Sequence, residues 1–257
     1  MVKKKVTFAD IAAYTNFSKT TISRYFNNPD SLTLENQEKI AAALEDLGYQ
    51  ENKLAKVLAN GKSEFVGIII PNLYLHYYSE ILNQLLSSYS KFGYKFLVFV
   101  SNDGREREQQ YINELLAYKI EGLIILSHTF SSAELAKCNI PIVAIEREAE
   151  HICSVDTDNY MGGLQATSLL IRNRCDILIH INVPVPENVP AHNRIAAFED
   201  TCKKYHVPYE LMLGDLGSTY ETTFDRIKET FETIEEKYPD RKKGIFFAND
   251  TLSLIHI

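Results

Sequence analysis

Residues Thr7–Asn28 read TFADIAAYTNFSKTTISRYFNN. Thr7 can cap a short first helix, with Asp10 three residues on, close to the spacing of a capping box. Ile11 and Ala12 supply that helix's apolar side. Asn16 stands where a tight turn needs a residue tolerant of positive φ. Phe17 follows as a staple, and Ser18 caps a second helix whose inward positions are Thr21, Ile22 and Phe26. Two short helices joined by such a turn form a helix-turn-helix unit. Its outward side shows Lys19, Thr20, Ser23, Arg24 and Asn27, donors and acceptors that can reach base edges or phosphates. By itself the pattern fits a helical hairpin with an ordinary polar surface equally well.

Moving outward, a third helix is expected over about Leu34–Leu47, capped by Thr33, with Ile40, Leu44 and Leu47 on one face. Residues Asn52–Asn60 allow one or two helical turns, too short to be stable without a partner such as DNA or a second copy. From Phe65 strands and helices alternate. Strands are expected at Phe65–Ile70, Tyr94–Val100, Gly122–Ser127, Pro141–Ile145, Cys153–Asp156, Asp176–Asn182, Glu210–Leu213 and Gly244–Ala248. Helices are expected at about Tyr78–Phe92, Arg105–Tyr118, Ser131–Lys137, 160–172, Asn193–Tyr205 and 219–237. Continuous apolar strands alternating with helices mean parallel sheets covered on both faces. The fold class is therefore an all-α helix-turn-helix head plus an α/β body of two lobes. Small ligands bind beyond the C-terminal ends of such strands, which makes the cleft between the lobes the expected ligand site.

The whole chain is consistent with this division. Residues 1–62 hold 9 Lys/Arg against 7 Asp/Glu, a net +2, and the rest hold 18 against 27, a net −9. A basic head on an acidic body reconciles DNA binding with an overall charge of −7. No signal-peptide core or membrane-length apolar run occurs, so a cytosolic protein with no membrane partner is expected. The four cysteines lack CxxC spacing and are expected as buried reduced thiols. The seven histidines make no metal-ligand spacing, and neither a metal nor a cofactor is inferred.

These motifs resemble the LacI/GalR family of bacterial transcription regulators. VTFADIAAYTNFSKTTISRYFNN is similar to the family's V-T-x-x-D-V-A-x-x-A-G-V-S-x-x-T-V-S-R-x-x-N. LGYQENKLAKVLANGKS continues the likeness, and VGIIIPNLYLHYYSEIL, KIEGLII, IPIVAIER, VDTDNYMGG, NRIAAFED and FFAND carry it through the body to about residue 250. The resemblance implies a DNA-binding domain over 1–50, a hinge over 51–63, and two lobes of a periplasmic-binding-protein-like body over 64–158 and 159–257. It implies a homodimer on a pseudo-palindromic double-stranded operator, most often as a repressor, controlled by a small effector, commonly a sugar or sugar phosphate. By the same resemblance Lys19, Thr20 and Arg24 read the major groove, and Ser18, Thr21, Ser23 and Asn27 grip or frame the phosphates. Thr7, Tyr49 and Asn52 are further phosphate candidates, and Ala55 belongs to the hinge contact. Leu58 matches the leucine that wedges into the minor groove.

In the cleft, Leu75, Tyr77, Tyr78 and Ile81 line the first lobe's side by resemblance. By the same resemblance Arg194 anchors the effector, its fork of donors suiting vicinal hydroxyls or a phosphate. Asn249 and Asp250 end one strand at the cleft, Ser127 and His128 another, and Asp158 lies near the lobe crossover in either a binding or a structural role. Four departures from the family stand out. Asn16 replaces a turn glycine, Glu51 replaces the proline before the hinge, and Glu146 replaces an effector-facing aspartate. INVPVPENVP replaces a glycine-containing turn. After Asp250 the family continues with another helix, further strands and the crossing back to the first lobe, whereas TLSLIHI stops. A truncated or misassembled frame with an incomplete second lobe is expected. Two other classes remain to be weighed. One is a sugar-binding protein of periplasmic type, disfavoured by the head and the missing signal peptide. The other is an enzyme, disfavoured because no P-loop, GxGxxG, nucleophile elbow or carboxylate pair appears.

Overall fold

The computed structural model describes residues 6–50, 61–102, 104–126, 129–147 and 149–254, in two compact units, Met1–Gly61 and Lys62–Ile257. The first unit is a head of three helices, α1 (Phe8–Thr15), α2 (Lys19–Asn27) and α3 (Leu34–Asp46). Their starts follow from their capping residues. The Asp10 carboxylate accepts from the Thr7 backbone N–H at 2.8 Å and from its hydroxyl at 2.7 Å. Ser18 Oγ accepts from the Thr21 N–H at 3.1 Å, and Thr33 Oγ1 from the Asn36 N–H at 3.4 Å. Asn16 occupies the left-handed region, φ 60°, so the turn between α1 and α2 forms as the sequence requires. A 3-10 turn over Pro29–Ser31, not foreseen, leads into α3; proline presets φ for such a turn.

Ile11, Ala12, Ile22, Ile40 and Ala43 form the head's buried core. Phe8 stacks on Phe26 at 5.1 Å between centroids, and Tyr49 leans on both, at 5.9 and 5.7 Å. Burying each isoleucine contributes about 1.5–3 kcal/mol, which is what fixes α2 on its scaffold. Ser18→Ala removes the α2 cap and is expected to lower local stability by about 1 kcal/mol. Hydrogen exchange of the α2 amides reads this directly; unchanged rates would show that the cap contributes nothing.

The second unit holds two parallel sheets. The first lobe runs β1 (Phe65–Ile70), α4 (His76–Ser87), α5 (Tyr89–Phe92), β2 (Lys95–Val100), α6 (Arg105–Ala117), β3 (Gly122–Leu126), α7 (Ser132–Ala136), β4 (Ile142–Ile145) and β5 (Cys153–Val155). Its strand order is β2-β1-β3-β4-β5, with Ile68 of β1 opposite Val98 and Ile124. Successive strand residues serve opposite faces. Ile69 and Ile125 pack with Ile112 and Leu115 of α6, while Ile68 and Ile70 pack with Tyr78, Ile81 and Leu82 of α4. The single helix expected over Tyr78–Phe92 is in fact two, breaking at Ser88. The Ser88 hydroxyl donates to the Leu85 carbonyl, the local competition by which serine ends helices.

The second lobe runs α8 (Asn159–Arg172), β6 (Ile177–Asn182), α9 (His192–Tyr205), β7 (Tyr209–Leu213), α10 (Tyr220–Lys237), β8 (Lys243–Phe247) and α11 (Asp250–Leu254). Its parallel sheet is ordered β7-β6-β8, and every residue of the central β6 is buried. Ile177, Ile179 and Ile181 meet Ile227 and Ile234 of α10, while Leu178 meets Phe198 and Cys202 of α9. The cysteines are free thiols, but only Cys202 is buried; Cys153 lies exposed on the edge strand β5, contrary to expectation. Among the described residues no helix is long and apolar enough to cross a membrane.

Candidate functional site

On the head, helical spacing puts Lys19, Thr20, Arg24 and Asn27 on the exposed side of α2, with Ser23 half-buried beside them. Asn27 Nδ2 donates to the Ser23 carbonyl at 3.0 Å and to its hydroxyl at 3.2 Å, so these two side chains are held together. Among the described residues neither Lys19 nor Arg24 has an ion-pair partner, which leaves both cations available to a polyanion. Ser18, Thr21 and Thr7 sit at helix starts, their hydroxyls already engaged in capping. Tyr49, expected at a phosphate, has its ring packed in the head's aromatic cluster. Asn52, Ala55 and Leu58 lie outside the described residues, as do Glu51 and the short helix expected around them.

In the second unit a cleft of about 700 Å³ opens between the lobes. Leu75, Tyr77, Tyr78 and Ile81 line it from α4 and the residue before it, Glu146 from the end of β4, Arg194 from α9, and Asn249 and Asp250 from the end of β8 and the start of α11. Eight of the ten expected effector residues therefore meet in one place. The other two, Ser127 and His128, lie outside the described residues. Asp158 is not a lining residue; its carboxylate caps α8 by accepting from the Met161 N–H at 3.0 Å. The unfamiliar INVPVPENVP stretch supplies a wall through Val183, Pro184, Val185, Pro186 and Val189.

Glu146 is the electrostatic centre of the cleft. Its backbone is left-handed, φ 57°, and its carboxylate accepts from the Thr157 N–H at 2.9 Å, the Tyr77 hydroxyl at 3.3 Å, Asn159 Nδ2 at 3.3 Å and the Thr157 hydroxyl. Burial first, then this carboxylate, pushes the Tyr77 phenol well above its usual value, so Tyr77 stays a neutral donor. Burial pulls the Arg194 guanidinium down, opposed by the charge of Glu146, and Arg194 Nε is buried without a hydrogen-bond partner among the described residues. A buried donor left unmatched costs about 1–3 kcal/mol, and a ligand oxygen would satisfy it.

Behind Arg194 lies a residue that sequence reading passed over. His180 of β6 is fully buried, its Nδ1 2.8 Å from the Phe246 carbonyl and its Nε2 3.2 Å from Asn182 Nδ2. Nδ1–H donates to the carbonyl and Nε2 accepts from the amide, the tautomer of a neutral ring. Burial above all, with Arg194 adding a smaller push, lowers its pKa to about 4. The signal available in sequence was a lone histidine inside the apolar run ILIHIN.

The α8–α9 packing sets the position of Arg194. A Cβ on Gly163 would sit 2.8 Å from the Arg194 carbonyl oxygen and 3.0 Å from Ala197 Cβ. Gly163→Ala is therefore expected to destabilise the second lobe by about 1–2 kcal/mol despite alanine's better helix propensity. Urea denaturation measures this, and a stabilised variant would show that α9 shifts without cost.

A helical head with an exposed cationic face and a two-lobed α/β body around a cleft are the features of ligand-controlled DNA-binding regulators. Residues 7–52 match bacterial regulatory proteins of the lacI family, and residues 63–229 match the periplasmic binding proteins and sugar binding domain of that family. The chain belongs to the LacI family and is a DNA-binding transcriptional regulator. Among its relatives, a sucrose operon repressor of Streptococcus mutans is 29% identical over 247 residues, covering 96% of this chain and 74% of the relative. The HTH-type transcriptional regulator GntR of Escherichia coli K12 is 26% identical over 261 residues, covering 99% and 76%. The fold matches the lac repressor dimer bound to operator and the anti-inducer ONPF, with a TM-score of 0.79 at 22% identity over 98% of this chain and 76% of that one. A head of regulator type favours this reading over a periplasmic sugar-binding protein, and the relatives named are regulators, not enzymes.

Proposed function

We propose that the chain acts as a homodimeric repressor whose two α2 helices read the half-sites of a pseudo-palindromic operator. A sugar or sugar phosphate in the cleft controls it. The observation that carries this reading is the meeting of Tyr77, Tyr78, Glu146, Arg194, Asn249 and Asp250 in one cleft, within a chain that also bears an exposed Lys19–Arg24 face. Aromatic faces and an apolar wall suit a sugar ring, and the guanidinium supplies directional donors to its oxygens. Arg24 reads guanine, Lys19 and Thr20 share the groove, and Ser18, Thr21, Ser23 and Asn27 set the register on the phosphates. Residues 1–50 serve DNA, 51–63 link, and 64–158 and 159–257 form the two effector lobes. The effector works by binding one lobe arrangement better than the other, and the difference in affinity shifts the operator-binding population.

The test is fluorescence anisotropy on a palindrome from the gene's own upstream region, over a salt series, with candidate sugars titrated in. Salt-sensitive, sequence-specific binding that a sugar alters is the expected result. Equal affinity for operator and scrambled DNA would overturn the operator assignment. A sugar that binds without changing operator affinity would overturn the coupling.

A further inference from the structure

We propose that the cleft selects an uncharged polyhydroxylated ligand and rejects its phosphate ester, with Glu146 and Asp250 as the rejecting carboxylates. This narrows, and rests on, the effector reading given above.

Protein sites for phosphate use unengaged backbone N–H groups at helix starts, where the helix dipole also favours an anion. Three helices begin at this cleft, and their leading amides are largely engaged already. At α9 the N–H groups of His192, Asn193 and Arg194 donate to the carbonyls of Val189, Pro190 and Ala191 at 2.8, 3.1 and 3.2 Å. At α11 the Thr251 and Leu252 amides donate to Asp250 Oδ1 and Asn249 Oδ1, at 2.9 and 3.1 Å. At α4 the Leu75 amide donates to Asn72 Oδ1 at 3.1 Å and the His76 amide to Thr251 Oγ1 at 3.3 Å. The acceptor at the first position of α11 is itself a carboxylate, so the place where an anion would otherwise gain from the dipole is already negative.

The side chains point the same way. The lining acids are Glu80, Glu146 and Asp250, against the cations Arg147 and Arg194. Arg147 Nη1 donates to the Glu146 carbonyl at 2.9 Å. Donors from α4, the crossover and α8 tie the Glu146 carboxylate where it stands, the Thr157 amide at 2.9 Å foremost. A phosphate ester brings about 1.5–2 further negative charges at neutral pH. A neutral sugar meets none of this opposition. It offers oxygens to the buried Nε of Arg194, and its C–H faces fit between the Tyr77–Tyr78 pair, 5.3 Å apart at the ring centroids, and the Val183–Pro186 wall.

The experiment is calorimetric titration of the 257-residue chain with matched pairs: sucrose and sucrose 6-phosphate, fructose and fructose 1-phosphate, glucose and glucose 6-phosphate. In the pair that binds, the neutral member is expected to bind at least about tenfold more tightly than its ester, a difference of about 1.4 kcal/mol. Glu146→Gln is expected to shrink that ratio, and Asp250→Asn, which leaves the Glu146 ties intact, to shrink it independently. An ester that binds as tightly as its neutral partner, or more tightly, overturns the proposal. Silence from every pair while operator DNA is still bound overturns the carbohydrate reading itself, and this narrowing with it.

Discussion

Arg24→Ala is expected to weaken operator binding by about 1–3 kcal/mol, roughly tenfold to a hundredfold, and to relax the preference at one base position in each half-site. Arg24 is exposed on α2, and α2 is anchored through Ile22 in the head's core, so the guanidinium is presented from a rigid base. Among the described residues it leaves no protein carboxylate behind when it engages a base, so the interaction is not weakened by a competing ion pair. Its planar fork can meet the O6 and N7 of guanine together, which an ammonium cannot do; Arg24→Lys should therefore recover affinity but not specificity. Anisotropy against operator and scrambled duplexes separates the possibilities. An equal loss on both would make Arg24 a phosphate contact, and no loss on either would remove it from the interface.

Acid is expected to destabilise the body through His180. Its folded pKa, about 4, lies below the ordinary histidine value of 6.5. At pH above 6.5 both the folded and the unfolded chain hold the ring neutral, and the full stability is present. As pH falls from 6.5 toward 4, the unfolded chain takes up a proton that the folded lobe refuses, and stability drops. Below 4 the folded ring protonates too and the loss levels off. The shift corresponds to about 3 kcal/mol in total. Urea denaturation at pH 7.5, 6, 5 and 4.5 shows the decline, and His180→Phe should flatten it, whatever that change does to absolute stability. Parallel slopes for the two proteins would mean that another group governs the acid response.

The fold was legible where local chemistry and burial agree. Ser18 and Thr33 start helices because each offers a side-chain oxygen to an amide that would otherwise lack a partner, Thr7 because the Asp10 carboxylate takes up its N–H and hydroxyl, and Asn16 turns because its side chain tolerates the left-handed region. The central strands were plain because both of their faces are covered, which leaves runs such as FVGIII and ILIHIN. The break at Ser88 was hidden, since Ser87 and Ser88 read as the polar side of one helix. Arg194, Tyr77 and Tyr78 were legible through family resemblance alone: nothing in their local periodicity distinguishes a cleft residue from a half-buried core one. His180 went unnoticed because its burial, and the Phe246 carbonyl that fixes its tautomer, arise from strand pairing 66 residues away. Likewise the role of Glu146 depends on Thr157 in the crossover and Asn159 at the start of α8.

The same carboxylate bears on how readily the body changes shape. Among the hydrogen bonds that tie the first lobe to the second are Asn159 Nδ2 to Glu146 Oε2 and the His76 N–H to Thr251 Oγ1, each 3.3 Å long. Both lie beyond the common N–H···O range of 2.7–3.2 Å, and bonds of this kind contribute about 0.5–3 kcal/mol each. Parting the lobes at those two points alone costs a few kcal/mol. These two ties thus act as a light catch between the lobes. A ligand decides which lobe arrangement prevails only through the difference between its affinities for the two, and each tenfold difference is worth about 1.4 kcal/mol.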